Sequence, residues 1–562
     1  MQSEKPWLSE YPDDIPHELH ISNQTLQSIL TNSAAQFSEQ TAIYFLGKRL
    51  TYQDVFKDAL KLASFLQKNG LKKGDRVAVM LPNCPQSVIS YYGVLYAGGI
   101  VVQTNPLYTE HELEYQLKDS GAKMIITLDL LFPKAIKMKT LSIVEHIIVS
   151  GIKDYLPFPK NILYPLTQKQ KVYIDYHENE NIHTFASVLK PEESELVFEP
   201  EIDPEHDIAV LQYTGGTTGA PKGVMLTHRN IQANTEMSAA WMYKMGKGTE
   251  KVLGVVPFFH VYGLTAVLNL SMKMGYEMIL LPKFDPQATL RTIDKQKPTL
   301  FPGAPTIYIG LLHHPDLQRY DLSSIKSCLS GSAALPVEVK QQFEKVTGGK
   351  LVEGYGLSEA SPVTHSNFLW GKNKSGSIGC PWPNTDAGIY SEETGTLVGP
   401  YEHGEIIVKG PQIMKGYWNN PEETAAVLRD GWLFTGDMGY MDEEGFFYIA
   451  DRKKDVIIAG GYNIYPREVE EALYEHEAIQ EIVVAGVPDS YRGETVKAFV
   501  VLKKGAKADV SELDAFARAR LAPYKVPKLY EFRAELPKTA VGKILRRNLV
   551  ADEDTANYNR IT

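Results

Sequence analysis

Residues 213–223 read YTGGTTGAPKG, so four glycines and three threonines stand within eleven positions. The preceding run, from Ile208 to Gln212, is short and mostly apolar and predicts a buried strand. A strand that opens into a loop of glycine and threonine presents backbone N–H groups and hydroxyls to phosphate oxygens. Lys222 adds a mobile positive charge. A flexible surface turn is the alternative, but the three threonines and the Pro-Lys-Gly ending favour a phosphate-binding loop.

Length and composition limit the class of protein. The chain has 562 residues, too many for one hydrophobic core, and its 43% hydrophobic and 22% charged residues are ordinary for a folded protein. A net charge of −10 disfavours a general nucleic-acid binder. The three scattered cysteines indicate a reducing compartment and no structural zinc. Without a signal peptide or an apolar run of bilayer length, we expect a cytoplasmic protein, and peripheral membrane contact stays open.

The order of predicted elements indicates an α/β fold. Strand-like runs at 76–81 and 100–103 flank a helix predicted over 85–97, and this β-α-β unit points to a parallel sheet covered by helices. A polar stretch over 151–200 predicts a connecting segment of variable shape. Thr227 is placed to cap a helix that follows the phosphate loop.

The charged run at 451–455 is the predicted domain boundary. Before it, short β-like runs over 385–450 predict a β-rich subdomain. After it, a helix over 466–474 begins a small α+β pattern of suitable length for one domain. We therefore expect a large N-terminal domain of α/β sheets, residues 1–451, and a small C-terminal domain, residues 452–562.

Two short motifs follow the phosphate loop. Residues 331–333 (GSA) predict either a tight turn before a helix or a backbone wall that a flat ring can approach. Residues 354–359 (GYGLSE) set Tyr355 between glycines, so that its ring face can stack on a base. In the same motif Glu359 is a hard oxygen ligand suited to Mg²⁺. Each string alone also fits an ordinary turn.

Four further strings complete the pattern. Residues 257–263 (PFFHVYG) set one histidine among aromatic residues, where a histidine is more often part of a packed core. Residues 430–437 (DGWLFTGD) and 445–455 (GFFYIADRKKD) fit a hairpin with a charged, solvated turn. Residues 537–547 (PKTAVGKILRR) contain a Gly-Lys step flanked by proline and threonine, which favours a placed lysine over a merely solvated one.

Together these strings resemble the adenylate-forming superfamily, which includes acyl-CoA synthetases, adenylation domains and firefly luciferase. The phosphate loop fits neither the Walker A nor the dinucleotide pattern. The resemblance extends over roughly residues 40–550, and the segment 430–455 is similar to the signature of long-chain fatty acyl-CoA synthetases. Two positions depart from the family pattern: Ser358, where threonine is usual, and Phe434, where the long-chain signature often has histidine.

The resemblance implies an enzyme with ATP, Mg²⁺ and CoA as co-substrates and metal. It would convert a fatty acid and ATP to an acyl-adenylate, and then transfer the acyl group to CoA. Catalytic roles would belong to Lys222, His260, Glu359 and Lys543, with Glu359 also a metal ligand. The fold implied is α/β, with a β-rich subdomain and a mobile α+β C-terminal domain that rotates between the two steps.

The resemblance also assigns binding roles by position. Asp437 and Arg452 would face the ribose, Lys454 would form the hinge between domains, and the loop with Gly460 and Gly461 would reach the CoA tunnel. The full set implied for the nucleotide and CoA is Thr214, Gly215, Gly216, Thr217, Thr218, Gly219, Gly331, Ser332, Ala333, Gly354, Tyr355, Gly356, Ser358, Asp437, Arg452, Lys454, Gly460 and Gly461.

More than one function stays open at this point. Within the family, an aryl or medium-chain acyl-CoA ligase, a ligase that loads a carrier protein, or a luciferase-like oxygenase shares the motifs. Outside catalysis, a fatty-acid carrier or transport partner could keep the fold. The complete set of charged motif residues argues against a carrier, because a binder needs no phosphate chemistry. Acyl chain length and a homodimer are not decided by the sequence.

Overall fold

The computed structural model describes residues 5–167, 181–190, 195–214, 221–453, 455–459, 462–489, 492–539, 544–546 and 548–550. Its strands are β1 (Thr41–Phe45), β2 (Lys48–Thr51), β3 (Arg76–Met80), β4 (Ile100–Gln103), β5 (Ala122–Leu128), β6 (His146–Ser150), β7 (Ile182–Thr184), β8 (Ile208–Thr214), β9 (Lys222–Thr227), β10 (Lys251–Gly254), β11 (Glu277–Leu280), β12 (Ser327–Ser330), β13 (Lys350–Gly356), β14 (Val363–Ser366), β15 (Cys380–Pro381), β16 (Asp386–Ser391), β17 (Thr396–Leu397), β18 (Gly404–Lys409), β19 (Gly416–Tyr417), β20 (Leu428–Arg429), β21 (Trp432–Met441), β22 (Phe447–Arg452), β23 (Ile457–Ala459), β24 (Tyr462–Ile464), β25 (Ile479–Asp489), β26 (Gly493–Leu502) and β27 (Leu529–Phe532).

The α-helices are α1 (Gln27–Gln36), α2 (Tyr52–Lys68), α3 (Pro85–Tyr96), α4 (Glu110–Ser120), α5 (Phe132–Leu141), α6 (Lys160–Thr167), α7 (Phe185–Val188), α8 (His228–Trp241), α9 (Val261–Gly263), α10 (Leu270–Met274), α11 (Pro286–Gln296), α12 (Pro305–Leu312), α13 (Val337–Thr347), α14 (Pro421–Val427), α15 (Pro466–Tyr474) and α16 (Val510–Arg518). A π-helical turn, Leu264–Asn269, joins α9 to α10.

One sheet has the order β19-β9-β8-β4-β3-β5-β6-β7. Neighbouring strands in the series β8-β4-β3-β5-β6-β7 are parallel, as the predicted β-α-β unit requires. Strand β9, in contrast, runs antiparallel to β8. Val77, Val101 and Val210 are fully buried at the centre of this sheet, because helices cover both faces. The phosphate-loop hairpin therefore lies at one edge of a rigid α/β layer.

A second α/β layer is built from two sheets, β10-β11-β1-β2 and β12-β13-β14-β15. Leu300 bridges them, since it pairs with Val252 of β10 and with Ser327 of β12. The strands β12 and β13 end next to each other, and their ends lead into the predicted motifs at 331–333 and 354–359. Both motifs thus leave the same edge of one layer.

A mainly antiparallel sheet of order β17-β16-β18-β21-β20, with β22 beside β21, forms the β-rich subdomain. The chain start packs on it: Trp7 is 1% exposed and lies against the Phe447 ring with centroids 6.0 Å apart. The start of the chain thus helps to cover this subdomain.

The chain beyond residue 456 forms a separate C-terminal domain around the sheet β24-β23-β26-β25, with β27 beside β26. Its apolar core, with Val469, Leu473, Val484 and Val500 among its members, is distinct from the large N-terminal core. Helix α15 begins and ends at the predicted residues. The α/β class with a β-rich subdomain and a small α+β domain is thereby confirmed.

The prediction for residues 151–200 was wrong in part. Instead of a plain connection, the described part of this segment contains α6, the edge strand β7 and the short helix α7. The strand pairs in parallel with β6, with Ile147 opposite Ile182. Three residues with one apolar side chain carry too little pattern to show a strand from sequence alone.

Two further features bear on cellular context. Cys84, Cys328 and Cys380 are buried free thiols, and burial raises the pKa of Cys84 to about 12. In the described stretches of chain, the helices are all too short or too polar to cross a bilayer.

Candidate active site

The phosphate loop lies between two antiparallel strands. β8 and β9 pair with Thr214 opposite Lys222, so they flank positions 215–220 as the two arms of a hairpin. A methyl group at Gly223 would lie 3.1 Å from the Tyr213 ring and 3.2 Å from Trp418, so this close approach favours glycine. The predictions for Gly215, Gly216, Thr217, Thr218 and Gly219 fall outside the described residues.

Lys222 is held by two side chains from a much later segment. Its ammonium pairs with the Glu423 carboxylate and lies 5.1 Å from the centre of the Tyr417 ring. The Tyr417 hydroxyl donates to Glu359 Oε1 at 2.8 Å. Burial, and then the Glu359 charge, raise the pKa of Tyr417, so this hydroxyl stays a donor. One tyrosine thus joins the predicted cation to the predicted metal ligand.

Main-chain contacts fix this tyrosine. Strand β19 pairs antiparallel with β9, with Tyr417 opposite Val224. The Thr424 hydroxyl accepts from the Tyr417 N–H at 2.8 Å, and the Met414 N–H donates to the Glu359 carbonyl at 2.8 Å. The segment around β19 therefore ties the phosphate hairpin to the second predicted motif.

The motif at 354–359 spans the end of β13 and a short 3₁₀ turn, Ser358–Ala360. Tyr355 is buried, and its hydroxyl donates to Asp437 Oδ2 at 2.5 Å. The predicted base-stacking ring and the predicted ribose acceptor are therefore in direct contact. Gly354, Ser358 and Glu359 are half-buried and Gly356 is exposed, so the motif lines an open face of the domain.

The hairpin of β21 and β22 carries the next predicted residues. Asp437 is 8% exposed, its backbone lies opposite Arg452, and its N–H donates to Thr435 Oγ1 at 3.1 Å. Only the backbone of Arg452 is described, and Lys454 lies outside the described residues. The expected hairpin is present, but its charged run is not simply solvated, because Asp451 is buried.

The predicted acyl side lies beside the phosphate strand. Gln212 near the end of β8 donates to the Phe259 carbonyl at 2.9 Å, next to the half-buried His260. The Tyr262 hydroxyl donates to the Leu329 carbonyl at 2.5 Å. A methyl group at Gly331 would lie 3.3 Å from the Tyr262 ring, so the aromatic segment supports the small-residue turn.

The turn at 331–333 lies where the sequence predicts it, before a helix. It follows β12 and precedes α13, and the Gly331 N–H donates to the Gly303 carbonyl at 3.0 Å. Gly331 is buried, while Ser332 and Ala333 are exposed, so the turn presents backbone and small side chains on its outer side. A flat ring could approach there without a clash.

A cavity of about 180 Å³ opens between the motifs at 354–359 and 430–437. Glu359, Tyr417, Phe434 and Lys453 are among its lining residues. A larger cleft of about 470 Å³, lined by Lys48 and other charged side chains, contains none of the predicted site residues. We place the site at the smaller cavity, because residues of the motifs at 354–359 and 430–437 line it together with Tyr417.

Phe434, which departs from the long-chain signature, has a packing role. It is 6% exposed and meets the Tyr390 ring edge-on with centroids 5.1 Å apart. The Arg429 guanidinium lies 4.4 Å from the centre of its ring. The side chain therefore closes one wall of the cavity and brings no titratable group to it.

The C-terminal domain reaches the site region through Arg546. This arginine donates to Asp451 Oδ1 at 3.0 Å and Glu470 Oε1 at 2.6 Å, and lies 3.3 Å from Asp455 Oδ2. Lys543, Gly460 and Gly461 lie outside the described residues.

The two domains also meet through a buried ion pair. Arg467 of α15 lies 3.5 Å from Glu353 of β13, and the two side chains are only 11% and 8% exposed. Burial raises the pKa of Glu353, an effect that the Arg467 charge opposes. The Arg467 N–H also donates to Asp451 Oδ2 at 2.9 Å. Glu353 directly precedes Gly354, so the interface touches the predicted base-binding strand.

The donor set at Glu359 is compatible with a magnesium ion shared with phosphate. Within the described ranges, no group of three or more His, Cys, Asp or Glu side chains is placed to form a cage for a metal. Glu359 offers one hard carboxylate near the predicted phosphate site. Mg²⁺ is commonly bound by one or two carboxylates, with substrate phosphates and water completing its shell.

Comparison with known proteins identifies the family. A model described as AMP-binding enzyme matches residues 30–418, and one described as AMP-binding enzyme C-terminal domain matches residues 468–543. The chain belongs to the AMP-binding enzyme family. The resemblance to adenylate-forming enzymes that the sequence shows is thereby confirmed.

Relatives of this AMP-binding enzyme match it along its whole length. A long-chain-fatty-acid–CoA ligase of Bacillus subtilis (strain 168) is 82% identical over 559 residues, covering 100% of both chains. A protein of that description from Escherichia coli O157:H7 is 40% identical, covering 97% of this chain and 98% of its own. The crystal structure of the anthranilate CoA ligase AuaEII with anthranoyl-AMP has a TM-score of 0.86 at 27% identity, covering 96% and 99%.

Sequence reasoning missed three residues of the AMP-binding enzyme's site region: Tyr417, Glu423 and Arg467. Tyr417 and Glu423 contact the motif residues Glu359 and Lys222, which are 58 and 201 positions away in the chain. Arg467 contacts Glu353, which is 114 positions away and directly precedes the motif at 354–359. The string GYWNNPEE at 416–423 contains Gly, Pro and acidic residues that predict only a turn and a helix start. The contacts of these three side chains depend on how distant parts of the chain come together in the fold, so the sequence alone does not show them.

Proposed function

We propose that this enzyme is an ATP-dependent long-chain-fatty-acid–CoA ligase that forms AMP and pyrophosphate. The full-length relation to the Bacillus subtilis ligase, at 82% identity, carries the proposal. The contacts of Tyr417 with both Lys222 and Glu359, and the hydrogen bond from Tyr355 to Asp437, support it. In the first step a carboxylate oxygen attacks the α-phosphorus of ATP and pyrophosphate leaves. In the second, the CoA thiol attacks the acyl carbon and AMP leaves.

The difficulty of the first step is charge, because an anion must approach a polyanion and negative charge builds on the α-phosphoryl oxygens. Lys222 would lie against the phosphates, with hydroxyls of Thr214, Thr217 and Thr218 as donors. Lys543 would complete this set from the C-terminal domain. Positive groups fixed before the reaction stabilise such a transition state most, since they need no reorganisation.

Glu359 would hold Mg²⁺, which when bound would neutralise phosphate charge. Its carboxylate is oriented by the Tyr417 hydroxyl at 2.8 Å, so one oxygen is occupied and the other can face a metal. Ser358, directly before it, would offer a hydroxyl to phosphate. The loss of a methyl group relative to the usual threonine leaves this donor in place.

Nucleoside recognition would combine stacking and hydrogen bonding. Tyr355 would stack on the base, with the turn at 331–333 as the opposite wall. Asp437 would accept hydrogen bonds from the ribose hydroxyls, and Arg452 would donate to the ribose. Because Tyr355 already donates to Asp437, one hydrogen bond couples the base-binding element to the ribose-binding element.

The second step would use a different arrangement of the two domains. Lys454 lies in the predicted hinge, and the loop with Gly460 and Gly461 would line the CoA path. His260 would stand beside the carboxylate of the fatty acid, at the mouth of an acyl tunnel. No covalent protein nucleophile is needed in either step.

The test is AMP release with ATP, Mg²⁺ and CoA across a panel of straight-chain acids from short to long, with benzoate and anthranilate as aryl acids. We expect the highest kcat/KM with long-chain acids. A maximum with aryl or medium-chain acids would replace the proposal with a ligase for those acids.

Three further results would point to different proteins. AMP release that needs a carrier protein in place of CoA would indicate a carrier-loading ligase. Oxygen uptake without CoA would indicate a luciferase-like oxygenase. No AMP release with any acid would indicate a fatty-acid carrier.

We propose a cytoplasmic location with peripheral membrane contact. Three buried free cysteines suit a reducing compartment. Beside Lys160, the side chains of Phe158, Ile162 and Leu163 are 79%, 64% and 49% exposed, an unusual apolar cluster for a surface. Flotation with anionic vesicles should recover the protein, and Phe158→Ser should reduce recovery. Equal recovery of both proteins would exclude this cluster as the contact.

A further inference from the structure

The Lys222 ammonium has a carboxylate partner inside the proposed phosphate site. Glu423 pairs with it from α14, and the centre of the Tyr417 ring lies 5.1 Å from the ammonium. The side chains of Lys222 and Glu423 are 28% and 47% exposed, so both charges remain accessible to a ligand. A phosphate group that binds Lys222 must therefore share this cation with Glu423 or displace Glu423 from it.

A chance ion pair at the rim is the simplest explanation, and most exposed pairs are of that kind. Three contacts distinguish this one. Glu423 is placed by the helix start, since its N–H donates to Asn420 Oδ1 at 3.2 Å. Thr424, the next residue, accepts from the Tyr417 N–H. Tyr417 in turn donates to Glu359. The helix start that carries Glu423 therefore also positions the tyrosine that contacts both functional groups.

The two carboxylates at this point have opposite relations to a triphosphate. Glu359 would gain a metal ion that ATP also binds, so its interaction strengthens when MgATP arrives. Glu423 loses part of its interaction with Lys222 and lies close to incoming negative charge. The negative charges of Glu423 and of a triphosphate at Lys222 repel each other. The Glu423 carboxylate also competes with the phosphate for the Lys222 ammonium.

We propose that Glu423 and Tyr417 are positioning residues that tune triphosphate binding through Lys222 and Glu359. Glu423 holds the ammonium ready at the loop and weakens binding of MgATP and of pyrophosphate, which speeds product release. Tyr417 orients Glu359 and strengthens metal-dependent binding. This inference rests on the proposed roles of Lys222 and Glu359 in the ligase reaction.

The experiment measures dissociation constants for MgATP and magnesium pyrophosphate by calorimetry without fatty acid, so that it does not depend on acyl specificity. The variants are Glu423→Gln, Glu423→Asp and Tyr417→Phe, each alone and with Lys222→Ala. Glu422→Gln is the matched control, because it removes the same charge one residue earlier on the same helix, where the side chain is exposed. Thermal midpoints confirm that each variant is folded.

We expect Glu423→Gln to tighten MgATP and pyrophosphate binding about two- to fivefold, the range for an exposed ion pair. Glu423→Asp should stay near wild type, and Lys222→Ala should abolish the effect of Glu423→Gln, since the two residues act as a unit. Tyr417→Phe should change affinity in the opposite direction and raise the Mg²⁺ concentration needed for half-maximal ATP binding.

An unchanged or weaker affinity in Glu423→Gln, an equal gain in Glu422→Gln, or a gain that persists with Lys222→Ala overturns the role of Glu423. Unchanged Mg²⁺ dependence in Tyr417→Phe overturns the role of Tyr417. If wild type binds MgATP but releases no AMP with any acid, the proposed function fails while these binding results still stand. The two failures are therefore distinguishable.

Discussion

The Tyr355 hydroxyl donates a hydrogen bond to Asp437 Oδ2 at 2.5 Å, across 82 positions of the chain. Tyr355 lies near the end of β13 in an α/β layer, and Asp437 lies on β21 in the β-rich subdomain. Both are buried, so the bond joins two bodies of the N-terminal domain at the point where we place the nucleoside. The orientation of the ribose acceptor thus depends on the base-stacking residue.

Tyr355→Phe tests this dependence while it keeps the aromatic ring. A hydrogen bond to a charged group contributes about 1.5–3 kcal/mol, so we expect KM for ATP to rise about tenfold or more. The kcat should change less, because the phosphate groups are held elsewhere. Tyr448→Phe is the control, since it removes a tyrosine hydroxyl of the same subdomain that donates to Asp442 and not to Asp437. Equal KM values for ATP in the two variants would contradict a role of Asp437 in ribose binding.

The sequence predicts those parts of the fold whose pattern is local. The strand at 208–212, the helix at 85–97 and the helix at 466–474 were found because apolar periodicity, a first-turn proline and flanking turns mark them. The threonine cap of α8 was also found, since Thr227 accepts from the Asn230 N–H. The edge strand β7 was missed, because an exposed edge needs no continuous apolar run.

The residues of the candidate site also divide into those that local motifs predict and those that depend on the fold. Glu359, Lys222 and Asp437 were predicted because the motifs are linear strings. The structure links Lys222 to Glu359 through Tyr417, and Asp437 to Tyr355. Tyr417 and Glu423 were not, since their significance arises only from the pairing of β19 with β9. The meaning of Phe434 also depends on the fold, because its neighbours Tyr390 and Arg429 come from two other elements.

The ion pair between Glu353 and Arg467 predicts a coupling between the domains. Glu353→Gln keeps the shape of the side chain but removes its charge, which should loosen the contact. We expect faster amide hydrogen exchange in α15, Pro466–Tyr474, and an altered ratio of the adenylation and thioester rates. Asp514→Asn is a matched control. It removes a carboxylate that pairs with Arg518 within the C-terminal domain, the domain that contains α15. If both variants leave exchange in α15 unchanged, this pair does not hold the domains together.

His228 predicts a loss of stability in acid. It is 2% exposed, its Nδ1 accepts from the Leu26 N–H at 3.1 Å, and burial lowers its pKa to about 4. Between the unfolded value of about 6.5 and that value, the unfolded state binds a proton that the folded state does not. This histidine therefore lowers stability as the pH falls, by up to about 1.4 kcal/mol per pH unit.

His228→Asn removes this titration and keeps an acceptor for Leu26. We expect the unfolding midpoint of the variant to fall less steeply than that of wild type between about pH 6.5 and 4. His206→Asn, at an exposed position, should retain the wild-type slope. Parallel curves for wild type and His228→Asn would show that another group carries the acid sensitivity.

We propose that carboxyl activation depends on positive groups from two separately folded domains around one nucleotide. The direct measurement is single-turnover kinetics of each half-reaction in Lys543→Ala, with Lys538→Ala as the control. Lys538 lies in the same segment and pairs with Glu481 at 2.6 Å within the C-terminal domain. Loss of one fixed positive donor costs about 10²–10³ in rate.

We predict that Lys543→Ala slows formation of the acyl-adenylate by at least that factor. Thioester formation from preformed acyl-adenylate and CoA should stay near wild type, and Lys538→Ala should be near wild type in both steps. Equal loss in the two half-reactions, or wild-type adenylation by Lys543→Ala, would contradict the account.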